Sequence, residues 1–344
     1  MVRSFLIPIV ALVAACSAAT PGAPPQKAAF RVDNHPLPGE GRGDYIVADP
    51  AANRLYVTHT GSLQVLDLTT LETVYTVGGL KWAHGVALDQ ARGHGFVTDG
   101  DANVVVMFDL TDGKTLKAIP AGTKPDSILR DPASGLVFAF NGESNNVSVI
   151  DPATAAVVKT IDLGAAPEFS QADGKGKVWV NLDDGNAIAE IDSKTLGLAR
   201  KLPLAGCEGP APLAFDKTDR LLFSGCGNRV MTVLDADSGK LVATVPVGED
   251  PDGIAYDEAR ARIFVGNRSG GWTIVRKEGR AAYKVEQTLP MPTYAKTAGL
   301  DPVTHRVFSS TADLIWPPRK GDEKPLPLAK SGTFRLVVIS EANR

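Results

Sequence analysis

The chain has 344 residues, 44% of them hydrophobic and 22% charged, with a formal net charge of −3 and three cysteines. That is enough apolar content for a large core. The faint acidity excludes a general electrostatic pull toward nucleic acid or anionic lipid, though not a local basic patch.

The first segment reads as an export signal (1–15) rather than as part of the fold. Arg3 supplies a positive charge, and Phe5–Ala15 is an apolar run too short to span a bilayer. It ends in Val13-Ala14-Ala15-Cys16, which resembles the lipobox of bacterial lipoproteins. Acyl chains on Cys16 would anchor the protein at a membrane surface of the periplasm or cell envelope. Ordinary cleavage after Ser17-Ala18-Ala19 is the alternative, and residues 16–27, rich in Ala and Pro, read as a tether.

From residue 28 onward one cassette recurs, and its clearest copy runs from Gly239 to Asn267. Each copy reads as β-strands separated by Asp-led turns. The Asp residues that close the first strand (49, 89, 131, 173, 216, 257 and 301) are spaced by 40, 42, 42, 43, 41 and 44 residues. Those closing the third strand (67, 109, 151, 192 and 235) are spaced by 42, 42, 41 and 43. Runs such as Val147-Ser148-Val149-Ile150 have the period and β-branching of strands. Four strands per unit at this period predict an all-β, seven-bladed β-propeller of four-stranded antiparallel blades, monomeric, over residues 28–344.

The strands of a blade are lettered A to D from the axis outward. The seventh unit lacks a D strand after Thr333–Ser340, whereas residues about 28–35 resemble the D strand Tyr283–Pro290. The last blade is therefore expected to be closed by the N-terminal strand, which removes an open edge. Glycines after the D strands (Gly122, Gly164, Gly206, Gly248) are expected to turn the chain back to the axis. A Pro-rich insertion, 312–332, interrupts the last blade and reads either as a surface flap or as a lid anchored by Trp316.

Three runs carry a family resemblance. Arg54-Leu55-Tyr56-Val57-Thr58-His59, Asn146-Val147-Ser148-Val149-Ile150-Asp151 and Pro251-Asp252-Gly253-Ile254-Ala255 resemble the YVTN repeat of bacterial surface-layer and YncE-like β-propellers. The resemblance implies the propeller fold and export. The wider superfamily holds dehydrogenase subunits, lactonases and non-enzymatic binding modules, so fold does not select an activity.

Equivalent positions in the repeats form rings. Five residues before each first-strand Asp stand Asp44, His84, Asp126, Glu168, Ala211, Asp252 and Lys296. Strand B ends in His59, Asp99, Asn141, Leu182, Cys226, Asn267 and Thr311. Antiparallel pairing puts both rings on one face, where they are expected to surround the channel mouth together with Arg42, Trp82, Lys124 and Tyr294 from the D–A loops. The plainer reading is a solvated polar mouth. The functional reading is a binding module for a small molecule or protein.

Asp44, Asp126, Glu168 and Asp252, with Asn141 and Asn267, offer the oxygen donors that suit Ca²⁺. A lactonase-like hydrolase would use such an ion, with His59 or His84 handling protons. YncE-like proteins that bind single-stranded DNA suggest a third reading, which needs a basic groove with stacking aromatics. Arg42, Lys124, Lys296, Trp82 and Tyr294 fit that, but four carboxylates share the mouth. The sequence shows no haem-attachment motif, phosphate loop or serine nucleophile elbow. Cys207 and Cys226 fall on the same face of the fifth unit, which places them to form a disulfide.

Overall fold

A computed structural model describes residues 30–318 and 327–342. The expected leader, Cys16 and the tether fall outside these described residues, as does 319–326 within the insertion.

Apart from the two-stranded ribbon of Leu314–Ile315 with Leu328–Ala329, the described strands group in fours as antiparallel sheets, and six of the seven pair in chain order. Blade 1 is built from Gly43–Asp49, Arg54–His59, Ser62–Asp67 and Thr73–Val77. Blade 4, across the ring, is Pro167–Ala172, Lys177–Leu182, Ala187–Asp192 and Gly197–Pro203. The seventh blade takes A, B and C from Gly299–Leu300, Val307–Thr311 and Arg335–Glu341, and its D strand is Phe30–Pro36. That last pairing runs in unbroken register from Phe30 opposite Glu341 to Pro36 opposite Arg335. The fold is thus the seven-bladed propeller that the repeat period predicts, closed by its N-terminal strand.

The Asp residues that mark the period do so because their carboxylates organise the turns. Asp67 accepts from the backbone N–H groups of Thr69 and Thr70, both at 2.9 Å. Asp192 accepts in the same way from Lys194 and Thr195. An Asp at this point satisfies turn donors that would otherwise need water.

The core lies between blades, because each sheet buries both faces against its neighbours. Leu63, Val65 and Tyr56 of blade 1 pack on Val86, Val97 and Phe108 of blade 2, and a cluster of the same kind fills the other interfaces. At the closure, Phe30, Val337 and Ile339 join Phe264, Trp272 and Ile274 of blade 6. Neighbouring A strands touch around the whole ring and so line the axis.

The glycines after the D strands serve two purposes. Gly164 and Gly206 have φ of +62° and +77°, which a side chain rarely adopts. Gly122 and Gly248 lack positive φ; instead a Cβ on either would come within 2.7 Å of the Asn141 or Asn267 amide carbon.

A candidate ligand site at the channel mouth

One irregularity builds the mouth. In blades 1 to 6 the pairing of strand A with strand B shifts near the start of strand A, as between Gly43 and Ile46 or between Pro167 and Ser170. A bulge frees consecutive residues from strict alternation. Both Asp44 and Tyr45, and both Glu168 and Phe169, therefore face the channel.

Tyr45 and Phe169 meet across the axis, with ring centroids 4.5 Å apart and planes inclined by 25°. The same position is Gly85, Ser127, Pro212, Gly253 and Thr297 in the other blades, all without an aromatic ring. The stacked pair spans the channel below the mouth and floors a cavity of about 400 Å³. Its wall carries Asp44, His84, Asp126, Glu168, Asp252 and Lys296, and its rim Arg42, Trp82, Lys124 and Tyr294. Of the sequence-derived candidates, these ten are brought together.

The wall groups are paired with one another. His84 Nδ1 donates to Asp44 Oδ2 at 2.6 Å and lies 3.5 Å from Asp126 Oδ1. Lys296 Nζ lies between Asp44 Oδ1 at 3.1 Å and Asp252 Oδ2 at 2.5 Å. Arg268 closes the series on Asp252 Oδ1 at 2.9 Å. In sequence around the wall, three carboxylates alternate with three cations.

The protonation states follow. Burial alone would lower the His84 pKa, but Asp126 and Asp44 outweigh it and raise it to about 9. Burial would raise Asp44, yet Lys296 and His84 hold its carboxyl well below the usual carboxylate range. Asp252 is likewise lowered against the cost of burial, by Lys296 and Arg268. Glu168 has no such partner; burial, then Asp126 and Asp252, push it up to about 8. Asp126 is raised too, by burial and by Asp44 and Asp252 against the pull of His84, so at neutral pH the wall sets a charged imidazolium beside two carboxyls shifted toward the neutral form.

This pairing corrects the oxygen-cage expectation. Asp44, His84 and Asp126 do offer ligand atoms within 4.8 Å of one another. However, the lone pairs of Asp44 and Asp252 are engaged by Lys296, His84 and Arg268, and Lys296 sits between the two carboxylates. A Ca²⁺ bound by Asp44, Asp126, Glu168 and Asp252 would have to displace those cations, so the donor set does not fit a calcium site.

A second correction concerns the ends of strand B. His59, Asp99, Asn141 and Asn267 are buried and do not line the cavity. Each instead braces the D–A loop of its own blade. Asp99 accepts from the backbone N–H groups of Lys81 and Trp82 at 2.8 and 2.9 Å. His59 Nδ1 meets the Glu40 carbonyl at 3.1 Å, and its ring lies 4.4 Å from that of Phe334. Asn141 bonds Ser148 and Asn146 with Gly122 packed on it, and Asn267 is packed under Gly248 in the same way. Thr311 donates to the Thr293 carbonyl at 2.8 Å. In blade 5 the brace is covalent: Cys207 of the D–A loop and Cys226 at the end of strand B form a disulfide, with Cα atoms 5.3 Å apart.

A profile of the domain family described as a domain of unknown function, DUF5074, matches residues 46–273. The chain belongs to that family. The DUF5074 match begins in strand A of the first blade and ends in strand C of the sixth. No curated protein matches the chain. Among solved structures, Kuenenia stuttgartiensis hydrazine synthase is 15% identical with a TM-score of 0.70, covering 78% of this chain and 92% of that one. The WD40 repeats of RRP9 are 10% identical with a TM-score of 0.73, covering 92% and 98%. At these identities the likeness is one of fold.

Within this DUF5074 chain, Tyr45, Phe169, Arg268 and Asp101 also line the cup and were missed from sequence. Arg268 follows a recognised ring position, Asn267, and its charge was the available signal. Tyr45 and Phe169 stand next to ring residues and are exposed to the channel only because of the bulge. The insertion reaches the rim: Trp316, 55% exposed, meets Tyr294 edge-on at 6.0 Å. Ser331 Oγ donates to Glu40 at 2.7 Å, which ties its far end to the loop before blade 1.

Proposed function

We propose that the protein is an exported, lipid-anchored binding module that captures a small molecule in the cup at its channel mouth. One observation carries the reading: Tyr45 and Phe169 stack across the channel beneath the mouth and line a half-open, chemically specified cavity of about 400 Å³. That volume is in the range of small-molecule sites, roughly 300–1,000 Å³. The paired wall supports binding without large rearrangement, because its side chains are already held in place. Export and anchoring rest on the leader ending at Cys16 and on the resemblance to YncE-like, YVTN-repeat propellers of the cell envelope.

The hydrolase alternative loses its base, since His84 is charged at neutral pH and His59 is buried in a brace. Single-stranded DNA, as a polymer, needs a continuous basic groove, whereas this cup is compact and carries Asp44, Asp126, Glu168 and Asp252.

The test is native mass spectrometry of the protein expressed with its leader and purified from membranes, together with metal analysis and a lactone hydrolysis assay. The reading expects an acylated mature protein starting at Cys16, a stoichiometric small molecule, and no turnover. Chelator-sensitive lactone hydrolysis would overturn it.

A further inference from the structure

Arg42 differs from the other cations of the cup, His84, Lys124, Arg268 and Lys296. Lys296, Arg268 and His84 each contact a carboxylate, and Lys124 lies 3.4 Å from Glu143. Among the described residues, no carboxylate lies within ion-pair distance of Arg42, and none accepts a hydrogen bond from its guanidinium. It is nevertheless held in place. Its carbon lies 5.5 Å from the Trp82 ring centroid and 5.7 Å from that of Tyr294.

The backbone that carries each ring is held in place, and so is that of Arg42. Asp99 accepts from the backbone N–H of Trp82, and the backbone N–H of Tyr294 donates to the Arg268 carbonyl at 3.1 Å. The Arg42 N–H donates to Thr60 Oγ1 at 3.2 Å, and the Thr60 N–H donates back to the Arg42 carbonyl at 3.2 Å. The preceding Gly41, at φ +96°, allows this approach, because a Cβ there would collide with the Thr60 side chain. Aromatic faces engage a guanidinium through its π-face and leave its edge N–H donors unspent.

We propose that Arg42 is the anchor for the anionic group, carboxylate or phosphate, of a small organic molecule held in the cup. This rests on the small-ligand reading above. A planar guanidinium with free edge donors suits bidentate recognition of such a group. The rest of the lining permits it: Asp44 and Asp252 are paired with His84, Lys296 and Arg268, and burial, then Asp44 and Asp252, raise Asp126 against the pull of His84. Asp101 and Glu168 are the remaining carboxyls, and Glu168, raised to about 8, is largely uncharged and able to donate. The organic part has an aromatic floor to rest on. The Tyr45 hydroxyl, buried in that floor, has no hydrogen-bond partner among the described residues.

The experiment is calorimetric titration of the mature protein with four probes of matched size: benzoate, phenyl phosphate, benzamide and benzylamine. Benzoate or phenyl phosphate should bind at least about tenfold more tightly than the neutral and cationic probes. Arg42→Met should abolish that preference, and Arg42→Lys should restore part of it. Equal binding of all four probes, or an unchanged anion preference in Arg42→Met, would overturn the anchor and leave the small-ligand cup standing. If no probe binds, the molecule carried by the purified protein decides. An anion lost in Arg42→Met supports the anchor, and a neutral or cationic molecule overturns it. No probe bound and no molecule carried would sink both readings.

Discussion

His84 gives the most searching test of the charge pairing at the mouth. It is buried, donates to Asp44 at 2.6 Å and faces Asp126 at 3.5 Å. Its pKa rises from 6.5 to about 9 on folding. That rise corresponds to a stabilisation on the order of 3 kcal/mol, at about 1.4 kcal/mol per tenfold change in proton affinity. Because the folded-state value is the higher one, the stabilisation is complete below pH 6.5 and is lost as pH climbs through about 9. Glu168 also destabilises the fold as pH rises, between 4.5 and about 8, but it is present with or without His84. The informative quantity is therefore the difference in melting temperature between the wild type and His84→Gln. That difference should be about 6 °C larger at about pH 6 than at about pH 9.5, taking roughly 2 °C per kcal/mol for a chain of this size. A gap that does not change with pH would mean that folding leaves the imidazole pKa unshifted, and the pairing argument would fail.

Two further outcomes follow from the ring. Replacing both Cys207 and Cys226 by Ser should lower the stability of unfolding in urea by about 3 kcal/mol, as expected for a loop of 19 residues; an unchanged midpoint would show that the blade 5 brace contributes little. Removing Phe30–Pro36 exposes the edge of Arg335–Glu341 and uncovers Phe264. The truncated chain should melt at least about 10 °C lower or self-associate in gel filtration, and a monomer with unchanged melting would contradict closure.

The repeat period made the fold and the first ring of the site legible, because a residue five positions before a turn Asp occupies the same place in every blade. Asp44, His84, Asp126, Glu168, Asp252 and Lys296 could be collected for that reason alone. The ends of strand B were assigned to the right face but to the wrong side of the backbone. Asn141 and Asp99 are polar for the sake of their D–A loops, and periodicity carries no mark distinguishing a bracing amide from a ligand-binding one. Tyr45 and Phe169 were hidden for another reason. Strict alternation would turn them from the channel, and the bulge that presents them is a property of pairing between two strands. The pairing of Lys296 with both Asp44 and Asp252 joins residues of blades 7, 1 and 6, a proximity that exists only once the ring is closed.

The way the ring closes also bears on how it assembles. Among the described strands Phe30–Pro36 is the first to be synthesised and Arg335–Glu341 the last, so their pairing must wait for every blade between them. Until then Phe30, which ends up 5% exposed against Phe264, has no partner surface complete enough to bury it. Contacts of such long sequence separation form slowly, since the chain entropy is lost before any contact compensates. Blades 1 to 6, each made of consecutive strands, can form as the chain grows. The seventh can form only afterwards, and with it the Lys296 bridge between blades 1 and 6. Formation of the cup should therefore report the final step of folding.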